Sequence, residues 1–297
     1  MNMYFGELAS LGAALIWAFS LTLFARFGRE FTPTALNLWK NAVALICFSV
    51  AVFVLSPTWP TQYSYYLAFA LSGLLGLAIG DTALFGALQR LGAQNTSVTQ
   101  CCVPLITASL AFVFLSETLS VMEVLGMFVT LVGIALVILH DRRQGFQAIS
   151  KQNLIEGLVL TLVAALSQAG SVVIIRHFLQ EVDIVLGTAL RLFPAFLILA
   201  LFAGPRGDLA VLGNLYKKKP KDLGIIAFAA LFGTFLGLLL MSTGAKYAKA
   251  GISSALTATY PLWIIPLSAW IAKESISLKK TAYTLFAVLG VGLMMAA

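Results

Sequence analysis

Ten apolar stretches follow one another along this chain, and they limit it to one kind of fold. They run about 5–24, 34–55, 63–89, 94–115, 121–139, 153–175, 183–203, 222–245, 251–271 and 278–296, separated by turn residues and charges. Most match the ~20 residues that an α-helix needs to cross a bilayer, and the third and eighth are long enough to tilt. In hydrocarbon every backbone N–H and C=O must be satisfied inside the protein, which leaves only helices and closed barrels. A barrel would alternate in polarity over segments of roughly 10 residues, whereas these stretches are apolar throughout. Charged residues make up 10% of the chain and hydrophobic ones 60%, against about 25% charged in a soluble domain. The expected fold is an all-α membrane protein with ten transmembrane helices. No basic residues precede the Leu8–Phe24 run, so it reads as a retained helix, not a cleaved leader.

The stretches come in two sets. Pro104-Leu105 reappears as Pro261-Leu262, Glu117 as Glu274 and Ser120 as Ser277, each 157 positions on. At the same spacing Gly76, Gly80 and Gly133 land on Gly233, Gly237 and Gly290. The early helices correspond at a shorter offset, Arg26 with Arg176 and Lys40 with Arg191. The expected units are residues 1–140 and 153–297, joined by a linker at 141–152. Five spans per unit make the second copy enter the membrane from the opposite side, giving two inverted five-helix repeats. Secondary transporters are built this way, with the substrate site near the midplane between the halves.

Orientation follows from Lys and Arg. Loops 1–2, 3–4, 5–6, 7–8 and 9–10 hold 14 of the 19, and the opposite side holds only Arg176, Lys246 and Lys249. The basic loops are therefore expected in the cytoplasm and both termini outside, in the inner (plasma) membrane of a bacterial cell. The net charge of +7 then orients the protein and meets anionic lipid, and nucleic acid is not an expected partner. Cys47, Cys101 and Cys102 lie in apolar segments with no zinc-like spacing and read as small hydrophobes. No Gly-rich phosphate loop, metal cluster or nucleophile triad is present in the sequence, so no cofactor and no enzyme activity is expected.

Together the Gly80-Asp81-Thr82 stretch running on to Leu88-Gln89-Arg90-Leu91-Gly92-Ala93, the Pro104 and Pro261 helices and the paired Glu117 and Glu274 resemble the EamA-type members of the drug/metabolite transporter superfamily. The likeness covers essentially the whole chain. It implies a ten-helix, 5+5 inverted-repeat carrier without ATPase machinery. Relatives move amino acids, other metabolites, nucleotide-type solutes or drugs, often outward.

Within the spans, polar residues mark the candidate site. Asp81 lies well inside the third span, where a carboxylate is costly unless paired or wet; its counterpart in the second copy is Leu238. It reads either as a protonatable coupling or gating group or as a partner in a helix–helix ion pair. Lys40 and Arg191 form a pseudo-symmetric basic pair that could hold a carboxylate or phosphate or could snorkel to opposite interfaces. Trp17, Asn41, Thr99, Gln100, Gln168, Thr257 and Tyr260 could line a central cavity or join helices by hydrogen bonds. Pro104 and Pro261 are candidate hinges near midspan. The glycine pairs point to close helix packing within the monomer, with a weak dimer as the other option. Glu117 and Glu274 read as caps or loop ion pairs, and Ser120 with Glu123 as a capping box.

The function these features predict is secondary active transport, in the outward direction by resemblance, of a small metabolite such as an amino acid or organic anion, with protons as a candidate coupling ion. The alternatives are a carrier of drug-like or lipid-linked substrates and a non-transporting membrane scaffold.

Overall fold

The computed structural model describes residues 4–27, 30–142, 150–263, 267 and 278–296. Its elements are helices α1 (Phe5–Phe27), α2 (Pro33–Leu55) and α3 (Tyr63–Gly73), a π-helical segment Leu74–Gly80, then α4 (Asp81–Gln100), α5 (Val103–Leu115) and α6 (Val121–Arg142). After them come α7 (Lys151–Phe178), α8 (Ile184–Ala203), α9 (Asp208–Lys218) and α10 (Pro220–Ala230). A second π segment, Leu231–Leu236, leads to α11 (Gly237–Tyr247), α12 (Ala250–Thr257) and α13 (Leu278–Ala296). There is no strand among the described residues. Seven helices there are long and apolar enough to cross a membrane, and Val103–Leu115 and Thr281–Ala296 are shorter apolar helices. The end of the ninth expected stretch (264–266 and 268–271) lies outside the described residues, and so does Glu274.

The duplication is visible in the backbone. The π segments begin at Leu74 and Leu231, 157 residues apart. A π turn offsets backbone hydrogen bonds, and here the Asn37 side chain donates to the Leu77 carbonyl (2.8 Å) and to Thr82 Oγ1 (2.8 Å). Asn41 in turn donates to Asn37 Oδ1 at 3.0 Å. Asn41 thus secures the π turn and is absent from the cavity described below; Thr99 is also elsewhere, its hydroxyl turned back to the Thr96 carbonyl.

One expected helix, 94–115, is divided. α4 runs through Gln100, the chain turns at Cys101–Cys102 and α5 starts at Val103. The second copy does the same, with α12 ending at Thr257 and a turn at Ala258–Thr259. Each helix stops four residues before a proline, Pro104 or Pro261, whose ring would clash with the carbonyl at that position. Pro104 itself sits in the first turn of α5, where a missing N–H costs nothing. The prolines therefore set breaks upstream of themselves, not bends at their own positions.

Corresponding residues meet corresponding partners across the molecule. A Cβ added to Gly76 would stand 2.5 Å from Ser171 Oγ, and one added to Gly233 2.5 Å from Ser20 Oγ. Gly80 likewise faces Gln168, and Gly237 faces Trp17. The glycine pairs thus serve packing within the chain. α6 and α13 lie antiparallel: Gly126 abuts Gly290 and Met294, Gly133 abuts Ala287, and the His140 ring meets Tyr283. Thr130 Oγ1 donates to the Ala287 carbonyl at 3.3 Å, and these two residues are 157 apart.

Ion pairs join the halves at both ends of the bundle. Glu117 accepts from Arg176 Nε (2.5 Å) and from the Ala250 amide (2.8 Å), while Arg176 Nη1 donates to the Lys246 carbonyl. Both sides of the break between α11 and α12 are thereby capped. Ser120 and Glu123 form the expected capping box, and Lys249 Nζ donates to both Glu123 oxygens. At the other end Arg90 pairs with Glu156 (2.8 Å) and Lys219 with Glu30, and the neutral Thr32 hydroxyl adds a hydrogen bond to Asp208. The Glu30 carboxylate holds the exposed Lys219 ammonium above the ordinary lysine range. α9 falls between the expected stretches 183–203 and 222–245 and is a short helix with Leu215 buried and Tyr216 exposed.

Candidate functional site

Polar groups inside an apolar bundle are tolerated where they face one another or a shared cavity. A cavity of about 190 Å³ lies in the interior, and Trp17, Lys40, Asp81, Gln100, Gln168, Arg191 and Tyr260 all line it. Both copies contribute: α1, α2, the first π segment and α4 from one, α7, α8, the second π segment and α11 from the other. The remainder of the wall is mostly apolar, including Leu21, Phe24, Phe85, Val103, Leu238 and Met241. Phe24 and Phe85 meet edge-to-face at 6.3 Å.

Lys40 and Arg191 are buried, with 4% and 1% of their surface exposed. Neither snorkels to an interface. Lys40 Nζ contacts Asp81 Oδ2 at 2.6 Å and lies 5.8 Å from the centre of the Phe85 ring. Taking this pair out of water is repaid only by close contact, and removing either partner leaves a buried charge alone. Arg191 is placed differently. Its Nη2 donates to Ser171 Oγ at 3.1 Å, while Nε and Nη1 find no acceptor among the described residues. Ser171 is held in turn by Ser72, each hydroxyl reaching the other residue at 2.8–3.1 Å.

Gln100 is buried, and both its amide oxygen and nitrogen find no partner among the described residues. It is the last residue of α4, where the Pro104 break leaves it facing the cavity. Its counterpart Thr257 ends α12 and lines the same space, its hydroxyl turned back to the Ser253 and Ser254 carbonyls. Trp17 Nε1 donates to the Gly233 carbonyl at 2.9 Å, which fixes the indole as wall. The sequence reading missed Ser20, Ser171, Thr234 and Ser254, which also line the cavity. Ser20 and Ser171 share the 151-residue offset of Lys40 and Arg191, the signal that would have found them. The three cysteines are free and partly buried, and no cluster of His, Cys, Asp and Glu suited to a metal occurs among the described residues. The arrangement can bind and orient a small charged solute between apolar walls.

Comparison with known proteins bears on what such a cavity is for. A family model described as the EamA-like transporter family matches residues 4–139 and again residues 155–296. A Bacillus subtilis (strain 168) protein described as uncharacterized transporter YyaM is 22% identical over 233 residues, 75% of this chain and 72% of that relative. An uncharacterized transporter of Archaeoglobus fulgidus is 20% identical over 288 residues, 97% of both chains. A solved crystal structure superposes with a TM-score of 0.76 at 15% identity, over 97% of this chain and 94% of the other, a likeness of fold.

Proposed function

Because the chain belongs to the EamA-like transporter family, an integral membrane family of carriers, we propose that it is a secondary active transporter working by alternating access around the interior cavity. The observation that carries this reading is the convergence of Lys40, Asp81 and Arg191, from both matched halves, on one cavity. The halves, residues 1–140 and 153–297 with the linker 141–152, form two inverted five-helix repeats with ten spans. The antiparallel packing of α6 on α13, the last helices of the two halves, supports the inversion. The basic loops face the cytoplasm of a bacterial cell, and the carrier acts as a monomer or weak dimer.

The solute is a small metabolite such as an amino acid or organic anion, and outward movement is the direction assigned. A cavity of about 190 Å³ is small beside the roughly 300–1,000 Å³ of sites for drug-sized ligands. It therefore favours a small metabolite over a lipid-linked or drug-like one. Asp81 is the coupling group. Protonating it removes the charge that holds Lys40, loosening α2 from α4 and tying proton movement to rearrangement of the cavity wall.

Uptake of a labelled metabolite panel into proteoliposomes, with and without a pH gradient, tests both parts. Flux above protein-free vesicles, stimulated by the gradient, is expected for at least one solute, and Asp81→Asn should abolish the stimulation. No flux for any solute would refute the transport reading. Unchanged gradient dependence in Asp81→Asn would remove the coupling role alone.

A further inference from the structure

Within the cavity the charges do not balance. Lys40 and Arg191 each contribute a positive charge, Asp81 is the one acid among the described lining residues, and the sum is +1. The duplication explains how the excess arises. Lys40 corresponds to Arg191 and Asp81 to Leu238. The parent elements correspond as well, since α2 packs on α4 and α8 on α11. In the first copy the base on the second helix is met by an acid at 2.6 Å. In the second copy the base is kept and the acid is a leucine that also lines the cavity. Arg191 is left 1% exposed with Nε and Nη1 unsatisfied among the described residues. A guanidinium presents its donors as a planar fork that fits a carboxylate, and a buried charge without a partner is among the costliest arrangements in a protein interior.

We propose that the transported solute is a monoanionic carboxylate whose carboxyl group pairs with Arg191 in the role that the acid at the position of Leu238 would fill. This rests on the transport reading of the cavity. One negative charge neutralises the site; a dianion brings a second for which the described lining residues hold no cation, because Lys40 is already engaged by Asp81. The unpartnered Gln100 amide accepts or donates to a neutral polar group on the same solute, and the apolar wall takes its hydrocarbon body.

The test uses the purified full-length chain and thermal unfolding. Butyrate, hexanoate, benzoate and phenylacetate are each compared with their primary amides, and succinate serves as the dianion. At least one monocarboxylate should raise the melting midpoint and bind roughly 30-fold or more tightly than its amide, and succinate should bind more weakly than butyrate. Leu238→Asp, which installs the acid inside the protein, should melt higher than Leu238→Asn without ligand and should lose the carboxylate-induced shift that Leu238→Asn retains. The proposal is overturned if no acid outperforms its amide, or if Leu238→Asp melts no higher than Leu238→Asn. Acid-selective binding without movement of any solute into proteoliposomes would leave the charge assignment standing and refute transport instead.

Discussion

Gly73 carries no side chain because there is no room for one: an added Cβ would stand 1.9 Å from the Arg191 carbonyl oxygen. Backbone cannot give way as a side chain can, so the helix bearing Arg191 would have to move. Gly73→Ala should cost about 1–3 kcal/mol of stability, read as a lowered midpoint of thermal unfolding; an unchanged midpoint would contradict the close approach. At this scale much was legible in the sequence. Of the ten polar residues that the sequence marks within the spans, eight line one cavity and Asn41 and Thr99 do not, because polar groups in hydrocarbon must find each other or water. Their pairing was not legible. That Asp81 takes Lys40 and leaves Arg191 short depends on how α2 packs on α4, which no linear spacing reveals. Serines were missed for a different reason: Ser20 and Ser171 are small and only weakly polar, and nothing but the shared offset distinguishes them from other serines in apolar spans.

Among the elements, the breaks at Cys101–Cys102 and Ala258–Thr259 are the least regular feature near the cavity. Each follows from a proline four residues past the end of a helix. Replacing Pro104 removes the clash with the Gln100 carbonyl and lets α4 run on into α5. Pro104→Ala should therefore hold or raise thermal stability, by no more than the ~3 kcal/mol an interior proline costs a helix, while lowering flux because Gln100 turns away from the solute. Flux equal to that of the parent chain would show that the break has no part in transport. The sequence located these prolines but put the irregularity at the proline itself, since the ring's reach back to the preceding turn is a matter of three dimensions. The π segments left no sequence mark, because Leu74–Gly80 is as apolar as its surroundings. α9 went unread because eleven residues with two lysines at the end resemble any polar connector.

At the scale of the whole molecule, the bias of basic residues toward one side predicts which face meets the cytoplasm. A cysteine introduced at Lys218 should react in intact cells only with membrane-permeant reagents; labelling by an impermeant one would reverse the assigned orientation. Individual spans were legible where stretches are long, as in the seven helices long and apolar enough to cross a membrane among the described residues, and less so where a helix is cut short, as at Val103–Leu115. A carrier whose halves rock, as proposed above, also needs a member that does not. α6 and α13 meet with Gly126, Gly133 and Gly290 at the seam, where backbone comes close to backbone, and Met127, Leu131 and Ile134 of α6 pack with Met294 and Ala287 of α13 on either side. Such a pair resists shear the way a keyed shaft does. In the proposed cycle the load falls on the helices that carry the charges, while this seam serves as the bearing against which they turn.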